Sequence, residues 1–373
     1  MTCYYGRLCV AVVATIVMTP LGASAACVDA LLADPSPSVL HGTAGSSSSD
    51  IWAVGGPEDG SVSTIEHWDG SAWSIVPSPS VPGSKGNTLF AVTVDSMTDA
   101  WAAGFYTNLN GGGQSLVEHW DGISWTAFPQ QFHFFLAAIS IAPGDANSAW
   151  AVGSAVHCGN HCRYSTPFSE HWNGTRWRAV PVPYTRSSAE LSGVLSLRGG
   201  TAWAVGSQSD IIGDSSHPLI LHEVGGTWST VKGVGPIGVP FAIAGTSESD
   251  IWIVGVRQYW LGPIIVHWNG ASWTSMSVPH PNGTWPTAIS ETSATDIWIG
   301  GRYIRSSPPQ GTVPYLAHFD GTSWTGNIKT PIGNMLGANN GIFSTPSGAW
   351  ITGSDLLNPP SPNMTGYNSF AHC

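Results

Sequence analysis

The polarity of this chain changes over very short distances. Between residues 89 and 129 four apolar-rich runs follow one another, "LFAVTVD", "AWAAG", "SLVEHW" and "SWTAFP". Each is four to eight residues long, carries β-branched or aromatic residues, and lies beside Ser, Thr, Asp, Asn or Gly. That is the pattern of strands joined by turns. The first join is tight, and the third is tighter still: "DG" plus one or two small residues, a hairpin signal. The second and fourth joins are longer.

The same order recurs along the chain. Aligning on the tryptophan of the second run gives Trp52, Trp101, Trp150, Trp203, Trp252, Trp298 and Trp350. A glycine follows each: Gly55, Gly104, Gly153, Gly206, Gly255, Gly301 and Gly353. A histidine comes later in every unit, at His67, His119, His171, His222, His267, His318 and His372. Six units then reach a second tryptophan: Trp73, Trp125, Trp177, Trp228, Trp273 and Trp324. A fixed period of about fifty residues means a propeller or an array, and four antiparallel strands per unit make one propeller blade. The expected fold is all-β, a seven-bladed β-propeller of four-stranded antiparallel blades.

The seventh unit stops at "SFAHC", where a fourth strand should begin, while "CVDALLADPSPS" near the N-terminus ends like "AWSIVPSPS" of the first unit. The N-terminal segment is therefore expected to complete blade seven and close the ring. Laid on the repeat, Cys373 falls at the Trp68 position and Cys27 at the Asp69 position, and a disulfide is expected between them.

These repeats resemble the kelch-type β-propeller family. The shared features are an aromatic-apolar strand ending in glycine, a loop, an apolar strand ending in an aromatic, and a tryptophan before an outer strand. They also resemble the "DxWAVG…HWDGxxW" repeats of secreted bacterial proteins. The resemblance covers the chain from about residue 27 to the end. The double glycine usual in kelch repeats is in register only at Gly55-Gly56. The resemblance implies a propeller that binds proteins or peptides. The copper site of the family's galactose oxidases has no matching Tyr/His set here.

Composition narrows the function classes. The chain has 373 residues, 45 glycines, 27 prolines and 19 tryptophans, with only 9% charged residues and a net charge of −11. No basic stripe exists to displace counterions from a polyanionic duplex, so nucleic acid is not an expected partner. Arg7, the run "LCVAVVATIVM" and the small-residue stretch "GASAA" read as an export signal cut after Ala25. Residues 26–373 are then one propeller domain, secreted, extracellular or periplasmic, with a lipid anchor at Cys27 as the rival. No later segment is apolar enough to span a bilayer, and a monomer is expected.

The histidines and tryptophans at repeat positions are expected to be structural. Each imidazole packs in its blade and hydrogen-bonds a neighbour, since buried polar groups need partners, and the indoles fill the wedges between blades. Asp50, Asp99, Asp250 and Asp296 are expected to tie the tight turns through their own backbone. In "HCGNHC" (residues 157–162), two thiols four positions apart in an exported chain point to a Cys158–Cys162 disulfide, with zinc as the lesser alternative. Glycosidase chemistry needs a carboxylate pair at a set separation. The loop carboxylates Glu58, Asp59, Asp210, Asp214 and Asp355 are scattered over several repeats. No catalytic residues, metal site or cofactor are expected.

Two tryptophans lie off the repeat, Trp260 and Trp285. The long variable joins all emerge on one face of such a ring, and function tends to sit on such loops. "VRQYWLG", "VPHPNGTWP" and "GRYIRSS" are neighbours there. They gather Arg257, Tyr259, Trp260, His280, Trp285, Arg302, Tyr303 and Arg305, including three of only nine arginines. Aromatics beside arginines suit stacking on sugar rings, cation–π contact or a protein hot spot. A secondary candidate lies above blades two and three, with Tyr106, Phe132, His133, Arg163 and Tyr164. The expected function is a non-catalytic binding module for a glycan or an extracellular protein or peptide. A polysaccharide hydrolase or lyase with its site at the channel mouth, and a structural envelope component, are the alternatives.

Overall fold

The computed structural model describes residues 28–32, 38–56, 61–129, 134–158, 162–210, 216–257, 262–305, 311–326, 337–346, 348–355 and 370–372. The first blade shows how sequence becomes structure. Its inner strand is Val39–Ser47, its second Asp50–Gly56, its third Thr64–Trp68 and its outer strand Trp73–Val76, paired in that order. The second strand is buried along its whole length, which its unbroken apolar run requires. The outer strand buries Trp73 but exposes Ser74 and Ile75, as befits an edge. The outer hairpin turns at Asp69, whose carboxylate accepts hydrogen bonds from the Ser71 and Ala72 amides, with Gly70 at φ 93°.

Five more blades of the same make follow, over residues 84–129, 135–180, 188–230, 237–276 and 284–326. Six blades, not the expected seven, are thus meanders of consecutive strands. The seventh repeat supplies three described strands, the third of them Phe370–His372. In place of a seventh meander, a composite sheet is assembled from both ends of the chain. Gly337–Thr345, Gly348–Asp355 and Phe370–His372 pair in order, and Val28–Leu32 pairs antiparallel to the last. Its inner strand packs between those of blades six and one. The register sets Val28 opposite His372, the place Ser74 holds opposite His67 in blade one. The N-terminal strand therefore enters further along the repeat than the Asp69 alignment implied. Cys27 and Cys373 themselves lie outside the described residues.

The core sits between blades. Trp52, Trp101, Trp150 and Trp252 are at most 2% exposed. Each stacks on the histidine of its own third strand and meets the outer aromatics of the next blade. Trp52, for example, lies 4.2 Å from His67 and 4.9 and 5.2 Å from Trp120 and Trp125, ring centroid to centroid. Trp350 of the composite sheet repeats the contact with Trp68 of blade one at 5.2 Å. Among the described residues no helix is long and apolar enough to cross a membrane.

Candidate functional site

In each of the six blades and in the composite sheet, the pairing of the inner with the second strand slips by one residue near the same end. The slips fall between Leu40 and Gly42, Leu89 and Ala91, Leu136 and Ala138, Leu191 and Gly193, Pro240 and Ala242, Pro286 and Ala288, and Asn339 and Gly341. A bulge at a fixed place re-aims the skipped side chain. Here the skipped residues are His41, Phe90, Ala137, Ser192, Phe241, Thr287 and Asn340. The bulge also explains the repeated glycine, because a Cβ on Gly55 or Gly104 would stand 2.0 Å from the carbonyl oxygen of Val39 or Thr88.

These bulges lie at the end where the inner strands start and the second strands finish, so they ring the long-loop mouth of the axial channel. On the blade-five and blade-six side stands the arginine-aromatic shelf. Trp285 pairs in register with Arg302, and Thr284 with Tyr303. The Arg302 guanidinium carbon lies 5.5 Å from the Trp285 ring centroid, within cation–π range. On the other side the Phe241 ring runs nearly parallel to Trp285, centroids 6.3 Å apart.

The neighbouring join is held by local hydrogen bonds. Thr284 Oγ1 donates to the Pro281 carbonyl at 2.7 Å, and His280 Nδ1 lies 2.8 Å from the same oxygen. His280 is exposed. A Cβ on Gly262 would meet its ring at 3.4 Å, so the blade-five loop and the next join touch at this point. Arg257, at the root of that loop, is half-buried, and its amide bonds the Gly262 carbonyl at 2.9 Å.

Of the eight shelf residues expected from sequence, the structure brings Trp285 and Arg302 into contact and sets His280 against the loop that Arg257 begins. Tyr303 behaves differently: it packs against the apolar cluster between blades five and six. Tyr259 and Trp260 lie outside the described residues, as does the side chain of Arg305. In the secondary candidate, Tyr106 belongs to a buried cluster, while Tyr164 is exposed and stacks on His157 at 4.6 Å. Phe132 and His133, and the side chain of Arg163, lie outside the described residues. Cys158 pairs with Cys162 in the strand register, their side chains lying outside what is described, and His157 Nε2 lies 2.9 Å from Thr166 Oγ1.

Sequence reasoning missed the axial side of the mouth. A cavity of about 380 Å³ is lined there by His41, Phe90, Phe135, Leu136, Ala137, Ser154 and Thr287. His41 and Phe90 meet at 5.1 Å, Phe90 and Phe105 at 5.7 Å, and Phe105 and Phe135 edge to face at 4.8 Å. Burial pushes the His41 imidazole below its ordinary range, so it is neutral at pH 7. A signal existed: His41, Phe90, Ser192, Phe241 and Thr287 each stand eleven residues before the second-strand tryptophan. Residues so varied at one repeat position look like noise, yet three of them, His41, Phe90 and Thr287, line this cavity.

No protein family profile and no curated protein matches the chain. Solved structures do match in shape. YCF48 from Cyanidioschyzon merolae superposes with a TM-score of 0.52 at 14% identity, covering 92% of this chain and 98% of its own. A PL25 ulvan lyase bound to -[GlcA(1-4)Rha3S]- gives 0.52 at 11% identity, covering 92% and 93%. Trypanosoma rangeli sialidase in complex with the inhibitor DANA gives 0.47 at 10% identity, over 81% of this chain and 56% of that one. At such identities the likeness to YCF48 and the ulvan lyase shows the β-propeller fold alone, and no named homologue carries the kelch-type assignment further.

Proposed function

We propose that this protein is a non-catalytic glycan-binding module that works through its long-loop face. The observation that carries the reading is the Trp285–Arg302 pair, an indole and a guanidinium held in contact by strand register at the mouth of the channel. A flat aromatic covers the C–H face of a sugar ring, and a guanidinium recognises a carboxylate or sulfate on the same chain by paired hydrogen bonds. Arg257 and His280 extend that donor set along the neighbouring joins. The ulvan lyase that shares the fold was solved with a glycan, the class of ligand proposed here.

The channel mouth supports binding over hydrolysis. Among the described residues its cavity lining contains one histidine and no carboxylate. Two residues earlier on the inner strands, the described positions Val39, Thr88, Phe135, Glu190, Val239 and Trp285 include one carboxylate, Glu190. Among the described residues of the cavity lining no facing carboxylate pair, on which glycoside hydrolysis depends, is assembled.

The test is a glycan array with the mature chain, followed by calorimetry on the hits. Trp285→Ala combined with Arg302→Ala should weaken binding to acidic oligosaccharides at least tenfold, about 1.4 kcal/mol, with an unchanged thermal midpoint. A uniformly blank array, or unaltered affinity in the double variant, overturns the proposal.

A further inference from the structure

The axial cavity is built from other residues than the shelf. Its lining comes from the inner strands of blades one, two, three and six, together with Ser154 from the second strand of blade three. Elements so far apart in the ring can share a space only on the axis. At about 380 Å³ the space falls within the range of small-molecule sites. Neither Trp285 nor Arg302 lines it.

Its wall is aromatic and held from behind. Phe90 and Phe135 line the cavity, and Phe105 meets both, at 5.7 and 4.8 Å between ring centroids. Phe135 also rests on the backbone of blade two at Gly113, where a Cβ would stand 2.8 Å from its ring. All three rings are half-buried, so part of each apolar surface is still open. A further aromatic ring brought to this wall gains burial, and with it the edge-to-face or offset contacts that aromatic pairs prefer.

One polar group narrows the choice of ring. His41 lines the same cavity, its imidazole 5.1 Å from Phe90. That imidazole is neutral at pH 7, so it carries one N–H and one lone pair. Among the described residues it meets the Phe90 ring and makes no hydrogen bond. A polar group so placed calls for a partner that can donate to it or accept from it. Thr287 already interacts within the chain and is not needed.

We infer that the axial cavity binds a phenolic ring, packed against Phe90 and Phe135 with its hydroxyl hydrogen-bonded to His41. The ring is that of a small phenol or of a tyrosine side chain, which share this chemistry. The inference goes beyond glycan binding and does not depend on it.

Saturation-transfer NMR and titration with p-cresol, 4-methylanisole and N-acetyltyrosinamide test this. The wild-type protein should transfer magnetisation to p-cresol. Binding of N-acetyltyrosinamide as well assigns the site to tyrosine, and binding of p-cresol alone assigns it to small phenols. Phe90→Leu, with an unchanged thermal midpoint, should weaken p-cresol about fivefold. Ala137→Glu, at an exposed position of the lining, should do the same while leaving the aromatic wall intact. In His41→Phe the ratio of p-cresol to 4-methylanisole affinity should fall about fivefold. A loss of packing alone would lower both affinities and leave the ratio unmoved. Ile123→Ser, in the outer turn of blade two, should bind p-cresol as the wild type does. The inference is overturned by no transfer to p-cresol, or by unaltered affinity in both Phe90→Leu and Ala137→Glu. An unchanged ratio in His41→Phe, or displacement of p-cresol by methyl glucopyranoside, overturns it equally. Array hits that depend on Trp285 and Arg302 stand or fall separately, because those residues lie outside the cavity.

Discussion

At the scale of single residues, the repeated polar groups form a network that no one position reveals. Asp50 does more than close a turn, contrary to the expectation from sequence. Its Oδ1 lies 2.8 Å from His67 Nε2, and His67 in turn stacks on Trp52. The same link joins Asp99 to His119, Asp250 to His267 and Asp296 to His318. Burial, the largest single effect on Asp50, works to raise its pKa. The hydrogen bonds from His67 and Ser46 together outweigh it and leave the carboxyl below its usual range. A second set of acids goes the other way. Glu66, Glu118 and Glu170 precede the repeated histidine and are fully buried. Burial pushes Glu118 up to about 8, against the smaller opposing effect of hydrogen bonds from Ser78 and Asn87, and pushes Glu170 to about 8 as well. Glu291 rises to about 9 through burial, then through its contact with Asp250. An acid whose folded pKa is raised holds its proton longer folded than unfolded. Its contribution is full below about pH 4.5 and is lost as pH rises toward the folded value. The urea midpoint of the protein should therefore fall between pH 5 and pH 8.5. Glu118→Gln, which keeps a hydrogen-bonding amide between Ser78 and Asn87, should make that fall shallower. An identical pH slope in the variant would show that Glu118 is ionised in the folded protein.

At the scale of elements, the repeat was legible wherever a unit satisfies its own polar groups, and obscure wherever a neighbour does so. Strand order, the buried second strand and the Asx turns of the outer hairpins all follow from local pattern, as "HWDGSAW" shows in blade one. Blade four breaks the pattern, with Thr201 where blade one has Asp50. Its histidine nonetheless finds an acid: Glu248, from the tight turn of blade five, lies 3.1 Å from His222 Nε2 and accepts from Trp203 Nε1 at 3.2 Å and from Thr201. Nothing in the spacing announces this, because the partner is 26 positions away and belongs to the next unit. Blade three uses Ser148 Oγ, 3.2 Å from His171 Nε2. The shelf was partly legible for the same reason. Off-repeat aromatics and rare arginines stand out in a sequence, whereas the axial bulge residues occupy a repeat position and vary only in identity. Glu248→Ala should loosen the seam between blades four and five. It removes hydrogen bonds to three side chains, so a loss of about 1–2 kcal/mol is expected, read as a lower urea midpoint. Amide exchange should quicken in residues 217–230, with blades one and two unaffected. Uniform exchange across the ring would mean that the blades do not open separately.

At the scale of the whole molecule, the ring depends on how its two ends meet. In blade one the residue after His67 is Trp68 and the residue before Ser74 is Trp73, and these two face each other across the outer hairpin with centroids 5.9 Å apart. Such pairs cover the second-strand tryptophan of the preceding blade, as Trp120 and Trp125 cover Trp52. In the composite sheet His372 and Val28 hold the His67 and Ser74 places. The next residue after His372 is Cys373 and the one before Val28 is Cys27. Counted along the sequence, the repeat positions that hold two aromatics in five of the six blades, with Glu223 replacing one of them in blade four, fall on these two cysteines. A covalent bond there would replace the aromatic pair as the clasp on the ring beside Trp298. We therefore expect a Cys27–Cys373 disulfide in protein matured under oxidising conditions. It would close a loop of almost the entire chain, for which loop-closure entropy gives roughly 5 kcal/mol. Peptide mapping without reductant should recover residues flanking Cys27 joined to the C-terminal peptide. Cys27→Ser with Cys373→Ser should lower stability far more than Cys158→Ser with Cys162→Ser, whose loop is short. Two free thiols in protein prepared under oxidising conditions would mean that strand pairing alone holds the composite sheet together.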